Sequence, residues 1–165
     1  MKQEVNRDVI TLLNSVISSY TRDMPDKGIS IDEFRMDKIP TDDVVSFTTE
    51  NEYDIVCNRG DVRIQAAKKL LGATRSTNAI LYPPHSKMAW HTNSDIVGRR
   101  IYYTYTEGKA VFRYRDVDGV VKEDWDNMGW TARSFTIKPS QLFWHSVWTE
   151  KRRFAFGFNV DVEPN

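Results

Sequence analysis

The chain has 165 residues, enough for one domain with a sizeable core, and it carries 23 lysines and arginines against 23 aspartates and glutamates. That zero net charge speaks against a nucleic-acid or anionic-membrane binder, because either needs a basic excess to neutralise phosphates. A single cysteine, Cys57, excludes an intrachain disulfide. With no apolar run near the ~20 residues of a membrane span, the expectation is a soluble, cytoplasmic protein.

In chain order, Val5, Val9, Leu12, Leu13, Val16, Ile17 and Tyr20 recur at helical spacing and predict one amphipathic helix ending near Asp23-Met24-Pro25. Asp32 is a candidate cap for a short helix through Phe34 and Met36. Val44, Val45, Phe47 and Thr48 suggest an isolated strand. Asp61 can cap a helix from Val62 to Leu71 that stops at Gly72. These segments carry no chemical motif and read as helices that cover a sheet.

After Thr74 the pattern changes to short β-branched and aromatic runs divided by turn residues. Strands are predicted over Asn78–Tyr82, Lys87–His91, Arg100–Thr106, Ala110–Arg115, Ala132–Ile137, Leu142–Val147 and Arg153–Asp161. The acidic cluster Glu123, Asp124 and Asp126 lacks the spacing of a calcium loop and reads as a solvated connection. Such strand spacing predicts an antiparallel sandwich or barrel. The whole is read as one domain over residues 1–165, helical support over 1–74 followed by a β core over 75–162.

Chemistry concentrates in the β half. Of three histidines, His91 and His145 lie in aromatic strands, while His85 follows Pro83-Pro84 in a loop and reads as a rim residue. His91 and Asn93, two apart on a strand, share a face, and His145 comes from a different strand. Three ligands from two strands suit one face of an octahedral Fe(II). Alternation along Arg153–Phe158 puts Arg153, Ala155 and Gly157 on one face and three phenylalanines on the other. The first face reads as a cavity floor with an anion-binding guanidinium, and Arg152 points the opposite way. Arg133 is a rival anion partner. Trp90, Trp144 and Trp148 are candidates for shaping the pocket or, alternatively, for the core.

The segment Tyr82-Pro83-Pro84-His85 through Trp90-His91-Thr92-Asn93, with Phe135-Thr136-Ile137 to Leu142-Phe143-Trp144-His145-Ser146-Val147 and Arg153, resembles the prolyl-hydroxylase-like Fe(II)/2-oxoglutarate oxygenases. The resemblance covers residues 78 to 160. It implies a mainly β protein with flanking α-helices, in which a double-stranded β-helix (jelly-roll, cupin-like) core follows N-terminal helices. It further implies Fe(II) on His91 and His145, 2-oxoglutarate held by Arg153, and hydroxylation of a C–H bond in a small-molecule or peptide substrate. A tyrosine beside the cosubstrate is also implied, with Tyr103 favoured and Tyr82 a second candidate. Asn93 stands where the family has a carboxylate, so either Asn93, a water or anion, or Asp95 completes the metal set, or metal binding has been lost and the pocket merely binds a ligand. Asp95 lies roughly 13 Å from His91 on an extended strand, by the ~3.3 Å rise per residue, and needs an immediate turn to reach it. Two other classes remain open. One is a cupin-like metal protein using His85 without 2-oxoglutarate, and the other is a non-catalytic sandwich binding a ligand through exposed tryptophans.

Overall fold

The computed structural model describes residues 1–39, 53–92, 97–139 and 142–161. The strand expected at Val44–Thr48 and the ligand candidates Asn93 and Asp95 lie outside the described residues.

Among the described residues three helices precede the main sheets. Helix α1 spans Arg7–Ser19. The Asn6 side chain caps it by accepting from the Asp8 and Val9 N–H groups, and the stripe read from the sequence buries Val9, Leu13 and Val16 completely. Helix α2 spans Ile31–Met36. Its cap is Ser30, not Asp32: the Ser30 hydroxyl accepts from the Glu33 N–H, and Asp32 falls in the first turn. Helix α3, Val62–Leu70, is capped by Asp61 as expected and closes at Gly72, whose φ of 64° suits a residue without Cβ. No helix among the described residues is long and apolar enough to cross a membrane.

The described residues form ten strands: β1 Lys2–Gln3, β2 Asp54–Ile55, β3 Arg75–Tyr82, β4 Ser86–His91, β5 Gly98–Thr106, β6 Ala110–Arg115, β7 Val121–Trp125, β8 Gly129–Ile137, β9 His145–Thr149 and β10 Arg153–Val160. The expected strands recur with shifted ends; the run from Leu142 enters its strand only at His145. Strands β1, β2 and β7 add to the sequence reading. The acidic cluster is therefore not a solvated loop: Glu123 and Asp124 sit on β7, which pairs with β6, and Asp126 follows directly. An edge strand tolerates such charges because one side of it faces water.

The strands form two antiparallel sheets, β1-β8-β5-β10-β3-β2 and β4-β9-β6-β7. From β3 onward the chain crosses between them in the order that winds a long hairpin twice around itself. That strand order defines a jelly-roll, a double-stranded β-helix. One face of the larger sheet packs Phe154, Phe156, Phe158, Ile101, Tyr103 and Leu81 against α1 and α3. The other face meets the smaller sheet through Ile80, Phe135, Ala155, Phe112 and Val147. The outer face of the smaller sheet lies under α2, where Phe34 packs on Val111 and Trp148.

Candidate functional site

Between the sheets lies a cavity of about 430 Å³, within the usual range for a small-molecule pocket. Strands β4 and β9 bring His91 and His145 to it as direct register partners, their ring centroids 4.0 Å apart and their planes inclined by 55°. Each Nδ1 bonds a carbonyl two residues back on its own strand, His91 to Ala89 at 2.8 Å and His145 to Phe143 at 2.9 Å. A carbonyl oxygen only accepts, so each Nδ1 carries the proton and each Nε2 keeps the lone pair, the tautomer a metal ligand needs. Burial pushes the pKa of His91 down to about 4 and that of His145 well below the ordinary imidazole value; nearby positive charge adds to both shifts, while the carbonyls of Ala89 and Phe143 oppose them. Arg100 is one such charge for both rings. Both imidazoles are accordingly neutral at pH 7.

Two buried, neutral imidazoles of this tautomer fit two of the three protein ligands an Fe(II) ion takes. Among the described residues no group of three metal-ligating side chains forms. His85, the third histidine, does not join the pair. It is half-exposed and bonds Asp26 through Nδ1 at 2.7 Å.

Strand β10 supplies a cation to the same cavity. Arg153 and Ala155 line the cavity, while Arg152 lies over the Phe154 ring, away from it. The Arg153 side chain is 2% exposed, and its Nε donates to Asp126 Oδ2 at 2.8 Å. Asp126 Oδ1 receives Nη1 of Arg133 at 2.5 Å. Arg133 also donates from Nε to Asp124 Oδ2 and from Nη2 to the Asp124 carbonyl, so it is engaged on three nitrogens and makes a poor rival for an outside anion. Burial works to raise the Asp126 pKa, but the Arg153 and Arg133 charges outweigh it and hold the carboxyl below its ordinary value. Nothing in the sequence marked Asp126 as buried. Its partners lie on β8 and β10, and only the pairing of β7 with β6 sets it beneath them.

Tyr82 lines the cavity with its ring 5.8 Å from the Arg153 guanidinium carbon. Its hydroxyl donates to Met88 Sδ at 3.4 Å, and burial pushes its pKa up. Tyr103 is a correction. The pleat of β5 turns it into the helix-side core, where its hydroxyl accepts the Asn6 N–H at 2.9 Å. Its neighbour Tyr102 faces the cavity instead. The tryptophans are corrected likewise, since Trp90, Trp144 and Trp148 are buried and none belongs to the cavity lining. Trp148 donates to the Ile29 carbonyl and Trp90 to that of Asp37, both under the segment that carries α2.

Fold and site together define a jelly-roll protein with a histidine pair and a buried arginine in one cavity. No family model matches the chain, and no curated protein matches it. Among solved structures it is similar to a prolyl-4-hydroxylase from Pseudomonas putida, at 17% identity and a TM-score of 0.42, over 61% of this chain and 62% of that one. It is also similar to a cupin domain from Bordetella pertussis Tohama I, at 11% identity and a TM-score of 0.36, over 54% of this chain and 85% of that one. The chain thus spans less than two thirds of the prolyl-4-hydroxylase. Likenesses this distant assign no chemistry.

Proposed function

We propose that this chain is an Fe(II)- and 2-oxoglutarate-dependent oxygenase that hydroxylates a C–H bond of a small molecule or peptide side chain. The observation that carries the reading is one cavity lined by both the His91–His145 pair and the buried Arg153. His91 and His145 would hold the metal through Nε2. The metal and its cosubstrate, when bound, supply oxygen activation coupled to oxidative decarboxylation. The protein's own contribution is placement. Two carbonyls fix the imidazole planes, Arg153 offers its terminal nitrogens to a carboxylate, and Met88, Phe112 and Val147 line the space with apolar surface that excludes water. The cupin-like alternative relies on His85, which is bonded to Asp26, and the tryptophan-based sandwich has only the half-buried Trp125 and Trp130 to offer, because Trp90, Trp144 and Trp148 are buried.

An anaerobic Fe(II) titration followed by visible absorption tests this. The expected result is a charge-transfer band that needs both Fe(II) and 2-oxoglutarate and is lost in His145→Ala and in Arg153→Ala. Fe(II) binding indifferent to 2-oxoglutarate would transfer the assignment to a cupin-like protein. No metal binding would transfer it to a ligand-binding sandwich.

A further inference from the structure

Arg153 already has a carboxylate partner inside the protein. The Asp126 side chain is 1% exposed and gives one oxygen to each of two buried guanidiniums. Arg133 does not depend on it, since Asp124 engages two further nitrogens of that side chain. Arg153 does. Its Nε bond to Asp126 is the one hydrogen bond of that side chain among the described residues, which leaves the terminal nitrogens for the cavity that Arg153 lines. A ligand carboxylate arriving there shares a single guanidinium with Asp126.

Asp126 is also held where it stands. Its backbone N–H donates to the Ala110 carbonyl at 2.9 Å, and the next N–H, of Asn127, donates to the Thr131 hydroxyl at 2.8 Å. Fixed on both sides, the carboxylate stays beside an incoming anion. Two like charges at such range in a poorly solvated cavity repel strongly. In the empty cavity the same carboxylate spares the fold an unpaired buried cation.

We propose that Asp126 is an internal counter-ion that competes with a ligand's carboxylate for Arg153, weakening the anion seat and narrowing its preference for charge. The idea rests on the oxygenase reading only for its probe, 2-oxoglutarate. Calorimetry on the Fe(II)-loaded protein without oxygen compares 2-oxoglutarate with its distal amide, a neutral ligand of the same shape. The wild type should prefer the acid by less than about tenfold. Asp126→Asn should bind the acid about tenfold tighter or more and the amide unchanged.

A wild-type preference for the acid of a hundredfold would overturn the proposal, and this arm needs no variant to fold. So would an Asp126→Asn protein that unfolds cooperatively yet binds the acid no more tightly. Binding of 2-oxoglutarate by the variant but not the wild type would uphold the proposal while removing the oxygenase reading. Silence in both proteins would remove both.

Discussion

Strand β10 is two strands in one, and its faces obey different rules. Phe154, Phe156 and Phe158 point to the helices and are completely buried among Leu13, Val16 and Ile64. Arg153, Ala155 and Gly157 point the other way, toward a cavity that has four arginines and two histidines among its polar lining. The first face stabilises by removing apolar area from water, and each phenylalanine contributes about 1.5–3 kcal/mol. The second buries charge, which stabilises only where every group meets a partner. Stability and chemistry are thereby divided across the thickness of one strand, so changes on one face should leave the other's property intact.

The most severe test of that division is Phe156→Ala. It should cost about 3–5 kcal/mol, read as a lowered midpoint in denaturant, while the protein still folded keeps its Fe(II) response. Loss of metal binding in a folded variant would break the comparison.

A second test acts on the cavity face through pH. His91 is neutral in the fold with a pKa of about 4, against about 6.5 when unfolded, and His145 is shifted the same way. Below pH 6.5 the unfolded chain therefore binds more protons than the folded one. The stabilising contribution of the neutral rings is complete above that value and lost as pH falls toward 4, by on the order of 3 kcal/mol for His91. Urea midpoints of the metal-free protein should fall over that window, and His91→Gln should flatten the slope.

Gly157 sharpens the comparison at the point where the faces meet. A Cβ built there would collide with side-chain oxygens of Thr77 and Asn78 and with the Tyr102 ring, in the stretch where β3 slips register against β10. Gly157→Ala should cost about 1–3 kcal/mol by overpacking, seen in thermal unfolding. A neutral outcome would mean that the bulge absorbs the methyl group.

How much of this was legible depends on the range of the interaction that decides it. Alternation along β10 is local, so the sorting of Arg153 from the phenylalanines could be read from six consecutive residues. The placement of His91 and His145 in strands was equally local, but their pairing across β4 and β9 is a matter of register. The jelly-roll itself was reached through family resemblance, because strand spacing alone stopped at a sandwich or barrel. Asp126 was misread because its charge suggests water, and only two distant arginines make burial tolerable. The tryptophans misled because an aromatic strand lines a pocket on one face and a core on the other, and the outer core under α2 left no local trace.

Tyr103 provides the finest test, since the alternation that sorts β10 also sorts β5 but does not by itself say which of its faces meets the cavity. Ile101 and Tyr103 share a side, and the structure gives that side to the helices. The Tyr103 hydroxyl is spent on the Asn6 N–H, one residue ahead of α1, where it steadies the helix entry. Tyr103→Phe should therefore cost about 1 kcal/mol, the net worth of a hydrogen bond, and leave the 2-oxoglutarate affinity unchanged. Tyr102→Phe removes the hydroxyl that receives Arg100 Nη1 within the cavity, and should shift that affinity with little change in unfolding. If the two variants exchanged these effects, the assignment of faces on β5 would have to be reversed, and with it the position of the cavity floor.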